Sequence, residues 1–480
     1  MPKIAMLGAG SLIFCKTLIN DFLATSALNA SEICLMSITR PKLDKMEAFV
    51  RRMIAENKLQ ARVWSTLDRR EALKDADYVI IMIQVGGIEA FRKDYEIPMK
   101  YGVDQCVADS LGPGGVFRGM RTIPVLIDIV REMEELCPRA LLLNYANPMA
   151  ANCMALGRAA SKIQFIGLCH GVQTTLDLIS RYVDVPKDQI DYLCAGINHM
   201  GWFLTLRDRR DGRDLYPILR SNCEKPEYYT TEKVRCEVMR HFGYFMTEST
   251  GHLSEYVPWF RSHERSLKRY CDQPSFGGET GAYYQYCDMI AKKYEKTDYL
   301  TLESPKVGRR SVEYCSYILE AAETGAPFRL NGNVRNDGYI CNLPAGCCVE
   351  VPVYVDRLGL HPLHVGALPP QCAALNQSNI SVQSLAVEAA FTGDPEYAVQ
   401  AIAMDPLTSA VCTLDEVREM TIEMLEAQRQ WLPRFAGKSI APKPIISIPA
   451  DVVPVDVPLD PALAIAHRFG KLATQEVKPG

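Results

Sequence analysis

The 480-residue chain has 48% hydrophobic side chains and a formal net charge of −4, enough to bury a large core and with no basic surplus to offer nucleic acid. It opens "MPKIAMLGAG", with no basic stretch leading into a long apolar one, and it holds no run of about 18 apolar residues, so neither a signal peptide nor a membrane-spanning helix is expected. Seventeen cysteines, an odd number without a repeating spacing, read as the reduced thiols of a cytoplasmic protein.

The segment "PKIAMLGAGSLIF" begins as a short apolar strand, passes through a glycine turn and starts a helix. Residues 31–38, 75–84, 139–145 and 162–169 are further short, continuous, apolar runs of the kind found in buried parallel strands. Residues 41–57, 124–135 and 149–160 carry apolar side chains at helical spacing between them. Strand and helix in alternation predict an α/β fold with an N-terminal, Rossmann-like, doubly wound parallel sheet over residues 1–195. A C-terminal α+β domain for substrate and subunit contacts is expected over 196–435. Within it, residues 336–356 predict a strand pair around a Leu-Pro-Ala-Gly turn. "SVQSLAVEAAFTG" and "TLDEVREMTIEMLEAQRQWL" predict late helices, the second capped by Thr413 with Glu416 three residues on. Residues 436–480 hold seven prolines and predict an extended tail, with helical periodicity returning only at Pro461.

In the glycine turn, Gly8 permits the tight bend and Gly10 lets the backbone approach a pyrophosphate at a helix N-terminus, with Ser11 beside them. The third glycine of the usual fingerprint is replaced by Ile13. A lone GxG is a weak signal, and it gains weight here from its place after the first strand. At the end of the second strand, where an acid normally bonds the adenosine ribose, the chain has Ser37, Thr39 and Arg40. Hydroxyls followed by a guanidinium suit a 2′-phosphate, so NADP is expected beside NAD. The bland alternative is a solvent loop that lacks the acid.

Cys169 stands at the C-terminal end of a predicted strand, and His199 just past the next apolar stretch. A thiolate and an imidazole together suit a borderline or soft divalent ion, with coordination positions left open for substrate. On residue types alone, a cysteine beside a histidine is more often packing.

Seven motifs then occur in order: "GAGS" (8–11), "DSLGPGG" (109–115), "NYANPM" (144–149), "LCHGV" (168–172), "AGINHM" (195–200), "ESTGHLSEYVPWF" (248–260) and "GNVRNDGYICNLPAGCCVEV" (332–351). In these the chain resembles the NAD-dependent family 4 glycoside hydrolases, most closely their α-galactosidase (melibiase) branch, over about residues 3–435. The resemblance implies a hydrolase that removes hydride from carbon 3 of the sugar and a proton from carbon 2, eliminates the aglycone, adds water and returns the hydride. It implies NAD and a divalent metal, expected to be manganese, held by Cys169 and His199. Asn147, His170, Asn198 and Arg118 are placed at the substrate, Tyr256 as the base and Asp109 as a candidate acid. Arg118 and Arg335 are both candidates for binding hydroxyls or a uronic carboxylate. The expected partners are a small α-glycoside and further copies of the chain, as a homodimer or homotetramer.

Two departures bear on specificity. Gly171 follows Cys-His where most melibiase-like members have serine, which keeps α-glucosidase and α-glucuronidase open as alternatives. The "SITR" segment keeps the choice of dinucleotide open. Two other classes compete: a net NAD(P)-dependent sugar or hydroxy-acid oxidoreductase, which would accumulate reduced cofactor, and a non-catalytic nucleotide sensor.

Overall fold

The computed structural model describes residues 1–160, 162–296, 299–455, 465 and 469–470. Six short strands form its parallel half: β1 (Lys3–Leu7), β2 (Glu32–Met36), β3 (Arg62–Thr66), β4 (Tyr78–Ile81), β5 (Leu141–Asn144) and β6 (Phe165–Gly167). They lie in the order β3-β2-β1-β4-β5-β6, the order of dinucleotide-binding sheets, and the direction of winding reverses between β1 and β4. Helices Leu12–Ala24, Arg40–Glu56, Gly112–Leu136 and Met149–Ala159 connect or cover them. Among the described residues no helix is long and apolar enough to cross a membrane, and all seventeen cysteines are free.

The sheet does not stop at residue 195. Five more strands continue it: β7 (Ile190–Ile197), β8 (Met200–Asp208), β9 (Phe328–Arg335), β10 (Cys348–Asp356) and β11 (Gly359–Pro362). β9 pairs antiparallel with β6 through Gly167 and Asn333, and β10 meets β7 through Glu350 and Gly196. Among the described residues this makes one eleven-stranded sheet, and the expected boundary at 195/196 falls inside the β7–β8 hairpin. Residues 1–441 form one compact unit. Residues 442–480 form a second, in which 442–455 carry no helix or strand and are exposed. The helical return expected at Pro461 lies outside the described residues.

Three local expectations are corrected. β3 has no counterpart among the predicted strands, because "RVWST" breaks its apolar run with Arg62 and Ser65. The helix expected at 124–135 begins at Gly112, with Pro124 inside it. Its glycines account for the early start: a Cβ on Gly114 would lie 2.5 Å from the Ala108 carbonyl oxygen, and one on Gly115 2.5 Å from the Ser110 carbonyl carbon. Only bare backbone lets the helix lie against the loop that carries Asp109. The strand pair expected over 336–356 is β9 and β10, so its first member lies wholly before residue 336. Residues 336–347 form the connection instead, with Asn336 Nδ2 donating to the Ile340, Leu343 and Pro344 carbonyls.

The late helices are Pro370–Thr392 and Leu414–Ala427. Thr413 and Glu416 form the expected capping box at the second. Asn376 on the first accepts from Trp202 Nε1 at 2.8 Å, and Asn379 donates to the Tyr256 carbonyl at 3.2 Å. Both bonds tie the helix to segments that carry the site.

Candidate active site

A cavity of about 800 Å³ opens where β1, β4, β5 and β6 end, and its wall includes Ser11, Gln84, Asn147 and Cys169, one residue from beyond each strand. Ligands of open α/β sheets bind in this crevice beyond the carboxyl ends of the strands.

Three side chains converge in it. A Cβ on Gly167 would lie 2.5 Å from Cys153 Sγ, so glycine lets β6 settle on the helix beneath and deliver Cys169 two residues later. His199 occupies the tight turn between β7 and β8 at φ 64°. Glu248 precedes the short helix Thr250–Leu253. One ligand atom from each of Cys169, His199 and Glu248 lies within 4.8 Å of the others. Burial drives His199 down to about 4 against the pull of Glu248, so its imidazole is neutral, as a metal ligand must be. Burial pushes the Cys169 thiol up, so metal binding there would displace a proton. Sulfur, nitrogen and oxygen donors at one point fit a borderline divalent ion, with Glu248 as a third ligand beyond the expected pair.

Two groups support this cluster. His252 Nδ1 lies 3.1 Å from the second oxygen of Glu248. Burial pulls Glu248 upward, but His199 and His252 outweigh it and set the carboxyl at about 2. Burial works against the His252 cation, yet its bond to Glu248 prevails and raises it to about 9. Tyr256 OH lies 2.9 Å from His199 Nδ1, and its ring is buried. Burial, then the charges of Asp109 and Glu248, push this phenol well above its ordinary value.

Asp109 is buried and bonded to Ser110 Oγ at 2.7 Å and Asn147 Nδ2 at 3.0 Å. Arg118 Nη1 stands 3.5 Å away and its Nε donates to the Asn147 carbonyl. Burial raises the carboxyl, but Arg118 and His252 outweigh it and leave it below the usual value. These neighbours favour the carboxylate form of Asp109, the candidate acid. Asn198 is buried outside the cavity wall with its amide beside Cys169 and Glu350, and His170 stands at the wall with Nδ1 3.3 Å from Glu313. Arg335 is not at this site. It lines a separate cavity and bonds the Gly157 carbonyl and Asp337.

The glycine turn fits a dinucleotide. Gly8 has φ 95°, and a Cβ there would lie 2.7 Å from the Met82 backbone. A Cβ on Gly10 would press Ser37 Oγ at 3.1 Å. Ser11 makes no side-chain capping bond, which leaves the N-terminus of helix Leu12–Ala24 free for an anion. Ser37 Oγ and Thr39 Oγ1 lie 3.4 Å apart, while Arg40 reaches Asp44 at 3.6 Å with half its side chain exposed. Residues 37–40 carry no acid to repel a 2′-phosphate, and Asp44, one turn on, is held by Arg40. A guanidinium so exposed contributes under about 1 kcal/mol, less than the 1.5–3 kcal/mol of a shielded charge-assisted bond. NADP is expected to bind at least as well as NAD, with Arg40→Ala weakening NADP alone. Titration of both dinucleotides into both proteins checks this, and a strong NAD preference unmoved by the substitution overturns it.

Gly171, the departure from the melibiase pattern, faces this cluster: a Cβ there would lie 3.1 Å from Glu248 Oε1. Glycine thus gives the third ligand its room. Sequence reasoning had not singled out Glu248, His252, Arg235 or Glu350. For Glu248 and His252 the available signal was their four-residue spacing within one motif. For Glu350, which burial and then Glu248 push up to about 8, it was a lone acid inside the apolar run "CVEVPVYV". Arg235 carried no local signal.

A family model described as "Family 4 glycosyl hydrolase" matches residues 3–185, and one described as "Family 4 glycosyl hydrolase C-terminal domain" matches 194–408. An α-galactosidase of Rhizobium meliloti (strain 1021) is 41% identical over 442 residues, 90% of each chain. An α-galactosidase of Bacillus subtilis (strain 168) is 40% identical over 442 residues, 91% of this chain and 100% of its own. The crystal structure of a 6-phospho-α-glucosidase from gut microorganisms, in complex with NAD and Mn2+, superposes with a TM-score of 0.73. It covers 90% of this chain and 98% of its own at 20% identity, a likeness of fold.

Proposed function

The chain belongs to the family 4 glycosyl hydrolases, and we propose that it is an NAD- and divalent-metal-dependent α-galactosidase, with manganese the expected ion. The observation that carries the reading is the convergence of Cys169, His199 and Glu248 in a cavity whose wall also includes Ser11, the residue after the glycine turn. It is supported by the identity to two α-galactosidases along nearly the whole chain.

Gly8, Gly10 and Ser11 hold the dinucleotide, with Ser37 and Arg40 at its adenosine end. Cys169, His199 and Glu248 hold the metal. When bound, the dinucleotide would supply a hydride acceptor and the divalent ion a Lewis acid. The remaining work falls to this chain's side chains. Tyr256 takes the proton from carbon 2, with its oxygen oriented by His199 Nδ1. Asn147 bonds sugar hydroxyls from the cavity wall, and Asn198, buried beside Cys169 and Glu350, supports the thiol ligand from behind. His170 approaches the carbon-2 side from the rim. Asp109 holds Asn147 and Arg118 through Oδ2 and Ser110 through Oδ1. Residues 1–195 bind the dinucleotide and residues 196–435 complete the sugar side of the shared sheet. The protein works in the cytoplasm, where Cys169 stays reduced, as a homodimer or homotetramer.

The test is a panel of aryl α-galactoside, α-glucoside and α-glucuronide at equal concentration. Each is assayed with and without manganese, NAD and a thiol reductant. The galactoside is expected to be cleaved fastest, only with all three present, and without accumulation of reduced cofactor. A preferred uronide, or stoichiometric NADH, overturns the reading.

A further inference from the structure

Two arginines enter the cavity wall, and each is matched by a buried carboxylate. Arg118 faces Asp109 at 3.5 Å. Arg235 Nε lies 2.9 Å from Glu232 Oε2, and its Nη1 donates to Thr175 Oγ1 at 2.9 Å. The side chains of Arg235 and Glu232 are only 7% and 12% exposed, so solvent screens this pair little. Glu232 does not line the cavity, but it also accepts from the Thr250 backbone N–H and hydroxyl, both at 3.2 Å. Thr250 begins the helix that follows Glu248 and holds His252.

The pairing decides what kind of sugar fits. A neutral hexose needs hydrogen-bond donors, and the guanidinium groups supply them without a net charge. Arg118 Nη1, for instance, is buried with no hydrogen-bond partner. A sugar carboxylate needs an uncompensated cation to repay its desolvation. At Arg235 it would meet a charge already cancelled. Building on the α-galactosidase reading above, we propose that Glu232 is a specificity-determining residue. By neutralising Arg235 it reserves the site for a neutral galactoside and turns away the α-galacturonide, which differs only in oxidation at carbon 6.

The experiment uses the full-length enzyme with manganese, NAD and reductant. Glu232→Gln keeps the oxygen that accepts from Thr250 and removes the charge. Its kcat/KM for aryl α-galacturonide, relative to aryl α-galactoside, is expected to rise about tenfold or more, the scale of one charge-assisted contact. The double variant Glu232→Gln/Arg235→Gln has no cation to release, so the gain should vanish. Inhibition of the wild type by free galacturonate, expected to be weaker than by galactose, is an independent reading that needs no variant to fold. The proposal is overturned if the wild type cleaves both substrates alike or is inhibited as well by galacturonate. It also falls if a Glu232→Gln enzyme of unchanged melting temperature keeps the wild-type ratio, or if the double variant keeps the gain. A wild type that cleaves no aryl α-galactoside sinks the α-galactosidase reading and this inference together. Cleavage of the galactoside with the ratio unmoved sinks this inference alone.

Discussion

The Cys169→Ser enzyme is expected to lose hydrolysis and to bind manganese more than about a hundredfold more weakly, since changes even outside the ligand shell cost 10–100-fold. Its dinucleotide affinity should stay within about twofold, because residues 8–11 lie on another strand end. The serine keeps the size of the side chain but offers a hydroxyl that does not ionise near neutral pH, so the charge and softness of the ligand are lost together. Glu248→Gln separates a three-residue ion site from a two-residue one. Its Oε1 is 3.9 Å from His199 Nε2, and its other oxygen is held by His252. If Glu248 is a ligand, calorimetry shows a manganese affinity reduced as strongly as in Cys169→Ser. If it only orients His199, affinity changes by a small factor. A Cys169→Ser enzyme that stays active in the presence of chelator would falsify the metal site altogether.

Five of the six parallel strands are legible because each is a short apolar run beside a helix-spaced segment; β3, at the sheet edge, is not such a run. The physics that makes it so is local: both faces of such a strand are covered, so nearly every residue is apolar. The antiparallel half follows a different rule. β9 reads "FRLNGNVR", with two asparagines and a glycine at buried positions. It tolerates them because Asn331 Nδ2 donates to the Cys194 carbonyl at 2.8 Å and Asn333 Nδ2 to the Gly167 carbonyl at 3.3 Å. A polar side chain satisfied by a neighbouring strand cannot be recognised before the neighbour is known. The same distinction governs the site. Cys169 and His199 are marked by their places at a strand end and a hairpin turn. Glu248 joins Cys169 and His199, and His252 joins Glu248, only once distant segments of the chain have packed together. Arg335 shows the converse, since it follows directly after the buried run of β9 yet points to another cavity. The seven ordered motifs carried the family assignment, and they carried it without revealing which residue meets which.

Tyr256→Phe is expected to slow hydrolysis of aryl α-galactoside by about 10²–10⁴-fold, the usual contribution of a positioned base. The ring is buried, its carbonyl accepts from Asn379, and its hydroxyl bonds His199 Nδ1, so phenylalanine leaves the packing in place and removes one oxygen. Burial holds this phenol above its ordinary value, and only a cation bound at the adjoining ligands brings it within reach of neutral pH. Removing the oxygen also takes the partner from His199 Nδ1, so manganese affinity should fall by about 10–100-fold, and the slowed chemical step is read at saturating manganese. Two isotope measurements locate that step. In heavy water the wild type should release galactose carrying deuterium at carbon 2, because elimination breaks that bond and the solvent restores it. A substrate deuterated at carbon 2 should show a primary isotope effect on kcat/KM that grows in Tyr256→Phe, as proton transfer becomes more fully rate-limiting. Product without deuterium at carbon 2 eliminates the elimination route whatever the cofactor requirement. Deuterated product from a Tyr256→Phe enzyme that keeps more than about a tenth of wild-type activity retains the route and moves the base elsewhere. Asp109 is the next group to test, as the carboxylate already bound to Asn147 in the same cavity.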